Sequence, residues 1–165
     1  MIYLGDTVDQ IDRKILRHLQ RDASGTTAEL ADDVGLSLSA CAKRVARLKN
    51  DGAISAITAR LNPKKFPKPV SAAVMVTLSA PKADVSDRFA RAMAKIDDVQ
   101  QCHVVTGDFD FLLIIKAPGI EEYHDFAQSV LGTSTDVQSY KTTFILKTVK
   151  NADTIPEFCI SESVA

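Results

Sequence analysis

A basic stretch between residues 37 and 49 contains the side chains best suited to bind a polyanion. No acidic residue interrupts this stretch before Asp51. If it forms a helix, the outward face carries two hydroxyls and four cations: Ser37, Ser39, Lys43, Arg44, Arg47 and Lys49. Hydroxyls and helix N-terminal amides bind phosphate, while Arg and Lys reach phosphates or base edges. The pattern favours contact with duplex DNA, and the alternative is an ordinary solvated helix surface.

Catalytic and metal-binding motifs are absent from the sequence. The chain lacks the usual patterns of a nucleophile elbow, a phosphate-binding loop, a dinucleotide site and a zinc protease. Its three cysteines, Cys41, Cys102 and Cys159, are widely scattered, so we expect reduced thiols without a metal. Cys102 and His103 are adjacent in a predicted strand, where successive side chains point to opposite faces. We therefore predict no catalytic residues and no metal site.

Three short helices are predicted to position the basic face. Apolar residues recur at helical spacing after Asp9, which is a suitable N-cap. Thr26 and Glu29 have the spacing of a capping box at the start of a second helix. In the turn at residues 34–37, Gly35 ends the second helix as a C-terminal cap and Ser37 opens the basic helix. The inner face of the basic helix would be Cys41, Val45 and Leu48, and a strand is expected after Gly52. Two short helices around such a turn form a helix-turn-helix, whose second helix enters the DNA major groove.

A stretch rich in proline and lysine, residues 62–69, divides the chain into two parts of opposite charge. Residues 1–69 carry 12 basic and 8 acidic side chains, net +4, whereas residues 70–165 carry 8 and 13, net −5. Prolines remove amide donors and disfavour helix in the residues before them, so regular structure should stop here. We predict a DNA-binding domain at 1–61, a linker at 62–69, a second domain at 70–150 and a tail at 151–165.

The second part alternates between strand and helix patterns. Apolar residues share one parity over 72–78, as in a strand, and follow helical spacing over 85–96. Strands at 99–106 and 109–116 are joined by a Gly107-Asp108 turn, before a second helix and a last strand at 137–149. The order β-α-β-β-α-β is ferredoxin-like, so the fold class is α+β.

One predicted strand should need a partner surface. Residues 111–115 read Phe-Leu-Leu-Ile-Ile and are apolar on both faces. One face can pack on the two helices, and the other needs a cover. A second copy of the same sheet is the simplest cover, because few residues of the chain remain to serve instead. We therefore expect an isologous homodimer with two recognition helices.

Short motifs in a fixed order carry a family resemblance. They include V-D-Q-I-D-R-K-I-L at 8–16, E-L-A at 29–31, V-G-L-S at 34–37 and G-D-F-D at 107–110. Together they resemble the Lrp/AsnC, or feast/famine, transcription regulators over residues 6–150. The resemblance implies a winged helix-turn-helix domain followed by a ferredoxin-like effector-binding domain. It also implies dimers that pair sheet to sheet and assemble into tetramers or octamers.

The same resemblance implies an amino-acid effector. In this family amino acids bind between dimers, in a pocket formed by the G-D-x-D turn and the neighbouring sheet. The matching positions are Gly107, Asp108 and Asp110, with His103, Val105, Thr142 and Thr143 as neighbours. A carboxylate suits the ammonium group of an amino acid, and the amides of a glycine turn suit its carboxylate. The alternative is that Gly-Asp simply forms a good hairpin turn.

On these grounds the chain is predicted to be a sequence-specific transcription regulator. Its partners would be double-stranded DNA, a small amino acid that acts allosterically, and further copies of itself, with no cofactor. No apolar run approaches the roughly 20 residues that span a bilayer, so we expect no membrane contact and a cytoplasmic location. Two alternatives on the same fold stay open: a sirohaem-decarboxylase-like enzyme, and an amino-acid sensor that does not bind DNA.

Overall fold

The computed structural model describes residues 8–152 and 154–161, which form two compact units. One unit takes the residues up to Arg60 together with the described residues from Asn151 onward, and the other comprises Leu61–Lys150. We call them the helical unit and the sheet unit. The segment after Lys150, which the sequence set apart as a tail, is thus part of the helical unit.

Three helices build the helical unit: α1 (Gln10–Arg21), α2 (Thr27–Val34) and α3 (Leu38–Asn50). The predicted caps begin each of them, because Asp9 and Thr26 each share a reciprocal capping box with the third residue of their helix and Ser37 accepts from the Ala40 amide. Gly35 ends α2 at φ +74°, a conformation that glycine adopts without strain. The predicted helix-turn-helix is therefore formed.

The interior of the helical unit is small. Its buried apolar side chains come from all three helices and are Ile15, Leu30, Ala31, Val34, Cys41 and Leu48. Val45, predicted on the inner face of α3, is half-buried and packs against this cluster. Asp12 is also fully buried, so the interior of this unit includes a carboxylate.

The strand predicted after Gly52 is not formed. Residues 55–62 have neither helix nor strand, and Ile57 and Leu61 are exposed there. A strand needs a hydrogen-bonded neighbour for its backbone groups, and no described segment of this chain pairs with residues 55–62. The helix-turn-helix is therefore seen without the paired strand of a wing.

The sheet unit confirms the predicted β-α-β-β-α-β order. Its elements are β1 (Val70–Leu78), α4 (Ala83–Met93), β2 (Val99–Val104), β3 (Phe111–Ala117), α5 (Ile120–Phe126) and β4 (Val137–Phe144). The four strands are antiparallel in the order β2-β3-β1-β4, which is the ferredoxin-like arrangement. The last strand ends at Phe144, five residues before the predicted end at Val149.

The two faces of this sheet differ. The helix face carries the core, in which alternate residues of β1 and β3 such as Val74 and Leu113 are fully buried against α4 and α5. The open face carries the other parity, in which Met75 pairs with Leu112 and Ala73 pairs with Ile114. These four side chains are only half-buried, as the apolar pattern of residues 111–115 predicted.

The chain ends its described course on the helical unit. A short helix, α6 (Glu157–Ser161), packs against α1. In the described part of the chain, no helix combines the length and apolar character needed to span a membrane.

Candidate DNA-binding surface and ligand site

The exposed face of α3 consists of small and polar side chains. Ser39, Ala42, Lys43 and Ala46 are all exposed and lie at the i, i+3, i+4 and i+7 positions of one helix face. Ser37 caps the helix at the same end, with its hydroxyl 3.4 Å from the hydroxyl of Ser39. Small side chains allow a helix backbone to approach a groove closely, while the hydroxyls and Lys43 can bond to phosphates or bases.

Arg44 and Arg47 both contact acidic residues near the start of α1, although Arg47 is still exposed. Their contact with DNA therefore stays a prediction. Arg44 Nη1 lies 2.6 Å from Asp9 Oδ2 and 2.9 Å from Asp12 Oδ1. Arg47 Nη2 contacts the other oxygen of Asp12. The buried Asp12 carboxylate needs compensating charge, and the face of α3 turned towards α1 supplies it.

Two groups of this network, Asp9 and Arg44, stabilise each other in their ionised forms. The Asp12 amide, followed by the Arg44 guanidinium, lowers the pKa of Asp9 below its usual value. Hydrogen bonds to Asp9 and Asp12 raise the pKa of Arg44. The side chain of Arg47 remains 43% exposed. Arg44 is therefore committed to holding α3 on α1, and Arg47 is only partly available to an outside partner.

A basic cleft on α1 was missed by the sequence analysis. It has a volume of about 520 Å³ and is lined by Lys14, Arg17, His18, Arg21, Asp22, Asp33 and Val34. His18 Nδ1 lies 3.0 Å from Asp33 Oδ2. The i, i+3 and i+7 spacing places Lys14, Arg17 and Arg21 on one side of α1. The same spacing of cations is typical of the solvated face of an amphipathic helix, so it did not indicate a cleft.

The loop between β2 and β3 carries four of the seven predicted ligand residues. Gly107, at φ +127°, and Asp108 lie at its exposed tip. Asp110 is half-buried: its carboxylate accepts a 2.7 Å hydrogen bond from the Leu78 amide, and its carbonyl accepts one from Val105. Val105 and Asp110 line a cleft of about 240 Å³, together with Leu78, Ala80, Pro81, Lys82, Ala83, Ser86 and Val104. Asp110 therefore fixes the loop to the end of β1 and borders a cleft.

The other three predicted ligand residues lie elsewhere on the sheet. Thr142 is on the helix face, where its hydroxyl contacts the Tyr123 hydroxyl. Thr143 is on the open face of β4, and His103 is on the open face of β2. Two strands separate β2 from β4, a distance of roughly 14 Å at the usual strand spacing. The seven residues therefore do not converge on one pocket within a single chain, because adjacent strand residues face opposite ways.

Potential metal ligands do not cluster among the described residues, and two of the cysteines, Cys41 and Cys102, are at least partly buried. Across 8–152 and 154–161, no group of three or more His, Cys, Asp or Glu side chains could hold a metal ion. Cys41 is buried, and burial raises the pKa of its thiol. Burial likewise raises the pKa of Cys102. Both thiols are held in their unreactive protonated form.

The fold and these surfaces define a two-domain regulator, with a helix-turn-helix for DNA and a ferredoxin-like domain for a ligand. Residues 8–49 match the AsnC-type helix-turn-helix domain. Residues 71–155 match the Lrp/AsnC ligand binding domain. The chain belongs to the Lrp/AsnC family of transcription regulators.

Curated relatives agree with this assignment. The chain is 36% identical to the leucine-responsive regulatory protein of Escherichia coli K12 over 149 residues, which are 90% of this chain and 91% of that protein. It is 35% identical to an HTH-type transcriptional regulator of Haemophilus influenzae over 148 residues, 90% of this chain and 88% of that protein. The predictions of family and of a DNA-binding regulatory role are confirmed.

Solved structures agree on the fold. A transcriptional regulator of Neisseria meningitidis in complex with L-methionine matches with a TM-score of 0.82 at 29% identity, covering 91% of this chain and 97% of that one. A feast or famine regulatory protein of Mycobacterium tuberculosis, also complexed with L-methionine, matches at 0.75 and 30%, covering 90% and 98%. The predicted α+β class is confirmed.

Proposed function

We propose that this chain regulates transcription as a homodimer that inserts α3 of each copy into the major groove of DNA. The observation that carries the proposal is the exposed face of α3, which presents Ser39 and Lys43 beside two alanines. Ser37 and the first amides of α3 face phosphate. Arg44 and Arg47 hold the helix in place by their contacts with Asp9 and Asp12.

The open face of the sheet supports the homodimer. Ala73, Met75, Leu112 and Ile114 form an apolar patch across the two central strands and are half-buried in one chain. Covering this patch with its symmetry mate removes apolar surface from water on both copies. Two recognition helices related by a two-fold axis read half-sites about 34 Å apart or a multiple of that distance. Further pairing of dimers gives tetramers or octamers.

We propose a small amino acid as the effector, bound at the loop between β2 and β3. The Asp108 carboxylate at the exposed tip suits an ammonium group, and the amides around Gly107 suit a carboxylate. Val105 and Asp110 border the adjacent cleft. His103 and Thr143, on the open face, contribute only where a second copy approaches. Two structural relatives hold L-methionine, which makes methionine the first amino acid to test.

The role we propose is regulatory and involves no catalysis or cofactor. The relatives that match over most of this chain are named as transcription regulators. A regulator of this kind works where the chromosome is, so we place it in the cytoplasm. Amino-acid binding changes DNA affinity by favouring one of two arrangements of the assembly.

A binding titration tests the proposal. The purified chain is titrated with DNA from upstream of its own gene and with scrambled DNA of equal length, with and without L-methionine and other amino acids. We expect preference for the native DNA and a shift in that preference with one amino acid. Equal binding to both DNAs at every salt concentration would contradict the regulator, and an absorption spectrum after tetrapyrrole addition would then test the enzyme alternative.

The effector site has its own test. We expect Asp108→Ala to abolish the amino-acid response and leave DNA affinity without amino acid unchanged, because Asp108 is exposed at the loop tip. Asp98→Ala, another exposed aspartate in the sheet unit, serves as the control. A normal response in Asp108→Ala would show that Asp108 only forms the turn.

A further inference from the structure

The chain passes between its two units twice, and the second passage ends on α1. The passages are at Arg60–Leu61 and at Lys150–Asn151. We call residues 154–161, which include α6, the returning strap. Most of it lies beyond the matched domains, since the ligand-binding match ends at residue 155 and the helix-turn-helix match at 49.

Gln20 holds the start of the strap through its backbone. The side-chain amide of Gln20 donates to the Ile155 carbonyl at 2.8 Å and accepts from the Ile155 amide at 3.0 Å. One side chain thus satisfies both backbone groups of a residue, as the neighbouring strand does in a sheet. This pairing fixes the position of Ile155 along α1.

Two arginines hold α6 at its two ends. Arg17 Nε lies 2.5 Å from Glu157 Oε1, and Arg13 Nη1 donates to the Ile160 carbonyl at 3.3 Å. Arg13, Arg17 and Gln20 form one stripe of α1 at the i, i+4 and i+7 positions. A five-residue helix is not stable alone in water, so α6 depends on these contacts for its order.

The docked strap is held mainly by polar contacts. Ile155 and Phe158 remain 58% and 64% exposed, and Ile160 is half-buried, so the strap leaves much of its apolar surface in water. In the Arg17–Glu157 pair Glu157 is 59% exposed and Arg17 is 29% exposed, so salt should weaken the pair from the Glu157 side. Contacts of this kind allow the strap to detach without unfolding the helices beneath it.

We propose that the Arg13–Arg17–Gln20 stripe is a docking surface for the chain's own returning strap, which gives the helix-turn-helix a second, releasable connection to the ligand-binding domain. The inference rests on the proposed DNA-binding function for its consequence, but not for the docking itself. One flexible connection lets a domain rotate, whereas a second connection restricts the rotation. Residues before β1 and residues after β4 both lead from the ligand-binding domain to the helical unit, so the two ends of that domain are both attached to the helix-turn-helix.

Docking is tested with a fluorophore on Cys159, which is exposed within α6. In a Cys102→Ser background, with Cys41 buried, the label on Cys159 reports strap motion through its anisotropy. We expect Gln20→Ala to lower the anisotropy and raise the rate of trypsin cleavage after Lys150. Gln10→Ala, an exposed glutamine at the start of the same helix, should leave both unchanged. Wild-type anisotropy in Gln20→Ala would overturn the docking.

A charge exchange gives a second check of the docking surface. Glu157→Arg should release the strap by repulsion from Arg17, and Arg17→Glu combined with Glu157→Arg should restore the wild-type anisotropy. Failure of the double variant to recover while its helical content is unchanged would contradict the Arg17–Glu157 contact.

The consequence for DNA is tested with two half-sites separated by whole or half helical turns. We expect the wild type to prefer one spacing, and Gln20→Ala to reduce the preference by about threefold or more, because a preorganised domain loses less freedom on binding. An unchanged preference in a variant with a released strap would overturn the coupling. Lack of DNA binding by both proteins would instead contradict the proposed function, and the anisotropy measurement would still decide the docking.

Discussion

The described part of the helical unit buries six apolar side chains and the carboxylate of Asp12, whereas the sheet unit buries fifteen apolar side chains. Among the described residues, Asp12 is the one charged side chain that is fully buried. Apolar burial stabilises without fixing direction, but hydrogen bonds from Arg44 and Arg47 to one carboxylate fix both distance and angle. The smaller unit thus uses directional contacts to set the position of its recognition helix.

A substitution in the apolar interior of the sheet unit should cause the largest loss of stability. Phe111 is fully buried with its ring centroid 4.8 Å from that of Phe89. We expect Phe111→Ala to lower the free energy of unfolding by about 3–5 kcal/mol, as measured by urea denaturation followed by circular dichroism. Val104→Ala is the control, since Val104 is 70% exposed. Equal losses for the two variants would contradict an apolar core at β3.

Removal of the buried Asp12 carboxylate should cause the next largest loss of stability. Asp12→Ala leaves Arg44 and Arg47 without their partner, and we expect a loss of about 2–3 kcal/mol from the helical unit. Hydrogen exchange of the α1 and α3 amides measures it. Asp32→Ala, at an exposed position of α2, should change little. A fully stable Asp12→Ala would remove the contrast between the two interiors.

The outward face of α3 should show a smaller effect, on binding rather than stability. Lys43→Ala should weaken DNA binding by about fivefold and lower the slope of log K against log salt by about one unit, as for one lost phosphate contact. Lys95→Ala, an exposed lysine of the sheet unit, is the matched control. Identical salt slopes for Lys43→Ala and the wild type would exclude Lys43 from the interface.

Lowering the pH should produce the smallest change in stability, through protonation of Asp9. Its pKa in the folded chain lies below the usual value of 3.8, so its stabilisation is present above that value and is lost as the pH falls through the lower folded pKa. We expect the stability difference between the wild type and Asp9→Asn to shrink as the pH drops from 7 to 3. A difference that is constant over this range would mean that Asp9 acts only as a neutral cap.

Local signals in the sequence predicted the helices well, because caps act within a few residues. Thr26, Glu29, Gly35 and Ser37 have the roles expected from their spacing. The partners of Arg44 were not predictable in the same way, since Asp9 and Asp12 lie more than thirty residues earlier. Helical spacing shows which residues share a face, but it does not show which face meets α1.

The ligand site illustrates a second limit. Strand parity already implied that Thr142 and Thr143 face opposite ways, and the register confirms it. The family resemblance placed both residues near one pocket. Such a pocket lies between copies of the chain, so Thr142 and Thr143 can line it from different chains. The backbone contacts of the returning strap left no signal in the sequence, since Gln20 and Arg13 bind backbone groups of Ile155 and Ile160 that every sequence possesses.

The pairing of Arg44 and Arg47 with acidic residues also bears on how this protein searches a genome. Sequence-independent binding grows with the number of counterions that cations displace from DNA. Two of the four cations on α3 are compensated by Asp9 and Asp12, so we expect this helix to displace fewer counterions than its composition suggests. We then expect competing chromosomal sites to retain less of the protein, which leaves a larger share of it for its operator at a given copy number.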